Sequence, residues 1–236
     1  MILDNITLLM CTFNTNKMTT LAIKSLFKQL HRYIPVVLFD NGNKELCTNE
    51  MKEIFTIYDN SHYKITGQQN QLSRNHCATV DYALKNCINT KYVMLCDTDI
   101  LFKPSIVKLI DDLDKKEEID ALGEILGTND RLMPMFCIIN VEKFKKENLN
   151  YYDPTRCMNN FTSIFDKDGN YIRDEIKPDK WYGDTGGSFL WDIEKNHWNI
   201  IKIKFADYIE HYGRGSFEEK PITVNQWLNM HKDLWY

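Results

Sequence analysis

Lys91-Tyr-Val-Met-Leu-Cys-Asp-Thr-Asp99 decides how this chain is read: an apolar strand runs straight into two alternating carboxylates. Successive side chains of a strand point to opposite sides, so Asp97 and Asp99 share one side and Thr98 takes the other. In open α/β sheets, ligands collect in the crevice beyond the carboxyl ends of the strands. Two carboxylates there make an anionic pocket suited to a hard divalent cation and, through it, to a phosphorylated ligand. Setting gives this triplet its meaning. Asp112-Leu-Asp114 falls in a helix-like polar run and Asp166-Lys-Asp168-Gly in a turn-like one, while only Asp97-Thr-Asp99 caps a buried strand.

Working outward, the first half of the chain alternates strand and helix signals. Ile6–Cys11 and Pro35–Asp40 read as buried strands, the second ending in the turn signal Asp40-Asn-Gly. Between them, Lys17–Leu30 carries Leu21, Leu26, Phe27 and Leu30 near helical spacing. Ser73 reads as the N-cap of a helix through Cys87, with Cys77, Val80, Leu84 and Cys87 on one face, and Pro104 opens a further helix. Such alternation predicts a mostly parallel sheet flanked by helices on both faces. The second half is less regular. Met135–Val141 reads as a strand, Gly186–Ile193 as a short element and Pro221–Lys232 as a terminal helix, while the charged run Asp111–Asp120 reads as an exposed helical face. No Pro/Gly/Ser linker, repeat or low-complexity run divides the chain, so residues 1–236 are expected to form a single domain.

Composition narrows the class. With 43% hydrophobic and 12% aromatic residues, the 236-residue chain has ample material for a core. A net charge of −4 and a pI near 5.9 argue against nonspecific nucleic-acid binding. No apolar run is long enough to span a bilayer and no signal-peptide pattern opens the sequence, so any membrane contact is expected to be peripheral. Seven widely spaced cysteines without a Cys-x-x-Cys pair read as reduced, mostly buried thiols, which fits a cytoplasmic setting and disfavours a zinc site.

Three strand ends carry candidate chemistry: Thr12-Phe-Asn14, Asp40-Asn-Gly and Asp97-Thr-Asp99. A doubly wound sheet lines such ends along one edge, where a nucleotide can lie across them. Asp40 reads equally as an Asx-turn residue or a ligand-binding one, while Thr12 and Asn14, read alone, are more often loop-capping groups. No Gly-x-Gly-x-x-Gly or Walker loop follows the first strand, which disfavours dinucleotide or P-loop phosphate binding.

Taken in order, a strand plus Thr-Phe-Asn, a strand plus Asp-Asn-Gly, the helix from Ser73-Arg-Asn-His-Cys-Ala, and a strand plus Asp-x-Asp resemble the GT-A fold glycosyltransferases, most closely the family 2 type, over roughly residues 5–105. The resemblance implies a Rossmann-like nucleotide-diphospho-sugar transferase fold, with residues 1–105 as the nucleotide-sugar half and 106–236 as the acceptor half. It implies a nucleoside-diphosphate sugar donor and a glycan or other hydroxyl acceptor. By this likeness Asp40 contacts the base, Asp97 the ribose, the metal or a metal-bound water, and Asp99 the metal, Mn²⁺ or Mg²⁺. Arg74 and His76 approach the sugar or phosphate, or else form a solvated helix end.

Resemblance is weaker in the second half. In inverting members a carboxylate near Trp181-Tyr-Gly-Asp184-Thr-Gly-Gly acts as general base, which implies that role for Asp184; many members carry Glu-Asp where this chain has Gly-Asp. An N-capping aspartate is the plainer reading. His211-Tyr-Gly-Arg-Gly-Ser216 is similar to the late histidine that serves as a metal ligand, and an imidazole among oxygen ligands suits Mn²⁺. Arg214 would then meet the diphosphate. Trp181 and Tyr182 are candidates to stack on an acceptor sugar, and Trp191, between Leu190 and Ile193, reads as core. The expected activity is an inverting, metal-dependent glycosyl transfer. A nucleotidyltransferase and a noncatalytic carbohydrate- or nucleotide-binding module are the alternatives.

Overall fold

Tyr92–Cys96 forms strand β4, with all five residues buried, in the middle of a seven-stranded sheet. The computed structural model describes residues 2–12, 16–40, 55–59, 72–115, 119–126, 131–152, 161–165, 171–176, 186–212, 224–231 and 233. On one side β4 pairs in parallel with β1 (Ile6–Thr12), which pairs in parallel with β2 (Val36–Asp40), and β2 with β3 (Phe55–Asp59). On its other side β4 meets β7 (Arg131–Asn140), which runs antiparallel both to β4 and to β6 (Ala121–Leu126). A short strand β10 (Ile200–Lys202) closes the order β10-β6-β7-β4-β1-β2-β3 in parallel with β6. The sheet is therefore mostly parallel with β7 alone reversed, an α/β architecture.

Alternation along the central strands feeds two apolar layers. Leu8, Met10, Met94 and Cys96 face one core, covered by α1 (Asn16–Leu30) and α3 (Ser105–Asp114) through Ala22, Leu26, Ile106 and Ile110. Leu9, Val93 and Leu95 face the other, covered by α2 (Leu72–Asn86), α4 (Val141–Lys146) and α5 (Gly187–Lys195) through Val80, Leu84, Phe144 and Phe189. Burial on both faces explains why β4 reads as a continuous apolar run rather than an alternating one. Three further pieces stand outside the large sheet. β5 (Ile100–Phe102) pairs antiparallel with β11 (Ile209–His211), β8 (Phe161–Phe165) with β9 (Tyr171–Ile176), and α6 (Val224–Met230) is the last helix described.

Three sequence expectations are corrected. The helix expected to be capped by Ser73 begins at Leu72, so Ser73 lies in its first turn. The run Asp111–Asp120 is not one exposed face: α3 ends at Asp114, while Ile119 and Asp120 are buried. Asp120 accepts hydrogen bonds from Lys143 Nζ at 2.6 Å and from the Asn199 backbone N–H at 2.8 Å, joining the starts of β6, α4 and β10. Buried carboxylates persist when bonded in this way. Trp191, expected in the core, lies on the outer side of α5 with Lys195 Nζ 5.2 Å from its ring centre; Phe189, Leu190 and Ile193 take the inner positions. No helix among the described residues is long and apolar enough to cross a membrane.

Gly186 opens α5 with φ of 85°, and a Cβ there would stand 2.5 Å from the Leu132 carbonyl oxygen of β7. Left-handed backbone and this close approach both demand glycine. Gly186→Ala is expected to lower unfolding free energy by about 2–4 kcal/mol, adding backbone strain to overpacking. Urea unfolding of the variant measures this, and an unchanged midpoint would contradict the tight seam between β7 and α5.

Candidate functional site

β4 stops at Cys96, and the next residues turn across the carboxyl edge of the sheet before β5 begins at Ile100. Asp97 donates its backbone N–H to the Met135 carbonyl at 3.3 Å, a last tie to β7. Thr98 is buried while Asp97 and Asp99 keep partial access to solvent, the alternation that period two requires. The parallel neighbours end on the same edge. Thr12 closes β1 and pairs with Asp40, which closes β2, so the sequence-selected strand ends do form one line.

A third side chain able to bind a cation arrives from more than a hundred residues further along. β11 runs antiparallel to β5, with His211 opposite Ile100, and the Tyr212 N–H donates to the Asp99 carbonyl at 2.9 Å. This register sets His211 Nε2 3.2 Å from Asp99 Oδ1. One ligand atom each from Asp97, Asp99 and His211 lies within 4.8 Å of the others. The three side chains, all half-buried, form the one group of this kind among the described residues.

Charge and burial conflict at Asp97. Desolvation pushes its pKa above the usual carboxylate range; His76 pulls it down, Asp99 pushes it further up, and His211 and Arg131 pull it down. Two carboxylates this close resist joint ionisation unless positive charge stands beside them. A divalent cation would supply that charge, and the donor set of two carboxylates with one imidazole fits such an ion. The nearby thiols Cys11, Cys96 and Cys137 are pushed well above their ordinary range by burial, so they stay protonated and are poor ligands.

Other sequence-selected residues fall into three groups. The buried Thr12 hydroxyl accepts a hydrogen bond from Thr19 Oγ1 of α1 at 3.1 Å, which ties the end of β1 to that helix. Asp40 and Arg74 sit in β2 and α2, but their side chains are outside the description; Asn14, Trp181, Tyr182, Asp184 and Arg214 lie outside the described residues altogether. His76 is half-buried and its charge acts on Asp97, so it is more than a solvated helix end. Arg131 escaped sequence reading. Because Phe136 pairs with Cys96, residues 131–135 of β7 continue past the end of β4 and carry Arg131 toward Asp97. Only an antiparallel β7 produces this overhang, and nothing local in the sequence announces strand direction.

The profile of the family described as Glycosyl transferase family 2 matches residues 7–176. Among curated proteins, none matches the chain. Solved structures with a similar course include the galactosyltransferase LgtC in complex with donor and acceptor sugar analogs, at 12% identity and TM-score 0.46, over 64% of this chain and 62% of that one. They also include S. aureus TarS residues 1–349, at 15% identity and TM-score 0.44, over 62% and 50%. A third is the mannosyltransferase PcManGT from Pyrobaculum calidifontis in complex with GDP-Man and Mn²⁺, at 10% identity and TM-score 0.48, over 84% and 54%. The chain thus spans less than two thirds of the length of each.

The three-ligand cluster predicts a direct response to metal. MnCl₂ at a hundredfold excess over its dissociation constant is expected to raise the melting midpoint by roughly 5 °C or more. Asp99→Asn should abolish the shift. Equal shifts in differential scanning fluorimetry for the wild type and Asp99→Asn would remove Asp99 from the ligand set.

Proposed function

Because the chain belongs to glycosyl transferase family 2, an enzyme family of the GT-A fold, we propose that it moves a sugar from a nucleoside-diphosphate donor to an acceptor hydroxyl with inversion at the anomeric carbon. The observation that supports this reading most is the convergence of Asp97, Asp99 and His211 to within 4.8 Å at the carboxyl edge of the sheet. In this proposal Asp99 and His211 hold the cation, with Asp97 as the third ligand or a partner of the donor ribose. A bound divalent cation offsets charge developing on the departing diphosphate. Mn²⁺ is the preferred ion on ligand chemistry.

The remaining roles belong to the chain itself. Thr12 and Asp40, at the ends of neighbouring strands, bind the nucleoside together with Asn14, with Asp40 on the base. Arg74, a residue of α2, serves the sugar or phosphate. Asp184, two residues before Gly186, takes the proton from the acceptor hydroxyl as its oxygen attacks the anomeric carbon and the bond to the diphosphate oxygen breaks. Arg214, three residues after His211, meets the diphosphate. Such general-base work contributes typically about 10²–10⁴-fold in rate. We assign all 236 residues to one domain and place the reaction in the cytoplasm, with an acceptor reached peripherally if it is carried on a membrane.

Donor identity is testable without an acceptor. In a thermal-shift panel of nucleoside-diphosphate sugars with Mn²⁺, the cognate donor is expected to stabilise the protein by mass action, and to do so less without the metal. Asp184→Asn should keep that shift while turnover, read as released nucleoside diphosphate, falls about 10²–10⁴-fold. Full turnover in Asp184→Asn would refute the base assignment. A panel without any metal-dependent shift would count against the donor reading as a whole.

A further inference from the structure

Strand β11 is only three residues long, and its two sides differ in what they meet. Ile209 is buried in the core and His211 shares its side, with Phe205 edge-on to the imidazole at 6.4 Å. Glu210 and Tyr212 point the opposite way. Behind that second side stands Trp227 of α6, 2% exposed and packed with Met18 and Leu21 of α1, Leu101 of β5 and the Tyr212 ring at 5.4 Å. Its indole N–H donates to Glu210 Oε1 at 3.2 Å. His231, one turn further on, places its ring 5.2 Å from Trp227 and its Nε2 3.4 Å from the same carboxylate oxygen.

A three-residue ribbon has little register of its own, since isolated two-stranded pieces are marginal in water. A slip by one residue would turn His211 away from Asp99, because side chains alternate. Trp227 opposes such a slip: it packs with Leu101 of β5 and with Tyr212, the residue after β11, and bonds Glu210 of β11. We infer that Trp227, with Glu210 as its hydrogen-bond partner, is a positioning residue for the cation site, clamping β11 from the side opposite His211 and holding Nε2 beside Asp99. The inference rests on the proposed metal reading of His211. Its physical basis is general: supporting groups that fix a ligand's orientation affect metal affinity although they never touch the metal.

The test is Mn²⁺ affinity, measured from the electron paramagnetic resonance signal of free Mn²⁺, in wild type and His211→Ala backgrounds. In the wild type background Trp227→Leu is expected to raise the dissociation constant about tenfold. Glu210→Ala, at an exposed side chain that keeps the fold, should shift it in the same direction by less, and Trp227→Phe should lie closer to wild type. In the His211→Ala background none of these substitutions should weaken binding further, because the ligand they position is gone. Affinity unchanged by both Trp227→Leu and Glu210→Ala overturns the inference, as does an equal loss with and without His211. If Trp227→Leu does not fold, Glu210→Ala decides alone. A His211→Ala protein that binds Mn²⁺ like wild type would instead refute the ligand reading, and the clamp with it.

Discussion

Two like charges placed side by side at the end of an apolar strand are the constraint that organises this protein. Asp97 and Asp99 repel, and the packing around Asp97 makes its ionised form costlier still. Nothing in β4 offsets this, because its five residues are apolar and buried. Groups that favour the ionised Asp97 instead come from distant parts of the chain: His76 from α2, Arg131 from the overhanging end of β7, and His211 from β11. The mixed sheet and the small β5–β11 ribbon are the devices that deliver them. A parallel β7 would end its overhang at the opposite edge, and without the ribbon His211 would have no defined place.

The same placement explains why the carboxyl edge can be polar while the sheet stays dry. Leu8–Met10 and Val93–Cys96 are covered on both faces by helices, so β1 and β4 cannot shift along one another without exposing apolar surface. Register Met10↔Cys96 then fixes how far each chain end projects into the crevice. Thr12, bonded to Thr19, ties its own strand end to α1. Packing energy, spent far from the edge, thereby sets the distances at it.

Legibility in the sequence followed the reach of each signal. The strands Ile6–Thr12, Val36–Asp40 and Tyr92–Cys96, the helices around them and the pairing of Asp97 with Asp99 are local patterns, and they were readable as such. Short strands were not: β5, β10 and β11 have three residues each, too few for periodicity to register. Trp191 misled because two apolar neighbours imply a core, while helical spacing puts it on the opposite side from Phe189, Leu190 and Ile193. Asp120 misled in the reverse sense, since its partners Lys143 and Asn199 are 23 and 79 residues away. His211 was selected through a family likeness; its contact with Asp99 depends on a strand pairing that no local pattern encodes.

The hydrogen bond from the Tyr212 N–H to the Asp99 carbonyl has a consequence for how such a chain can change length. From Asp97 to Phe102 the backbone passes directly from the acidic pair into the ribbon, and from Ile209 to Tyr212 the ribbon itself carries His211. A single inserted residue in either stretch would reverse the alternation and send a side chain of the cluster to the wrong side. Between the two stretches lie more than a hundred residues, where sheet register pins β6, β7 and β10 while closure entropy, which grows slowly with loop size, limits only the connections between elements. Changes of length that preserve the placement of His211 beside Asp99 are thus excluded from these two short stretches and tolerated in the connections between elements.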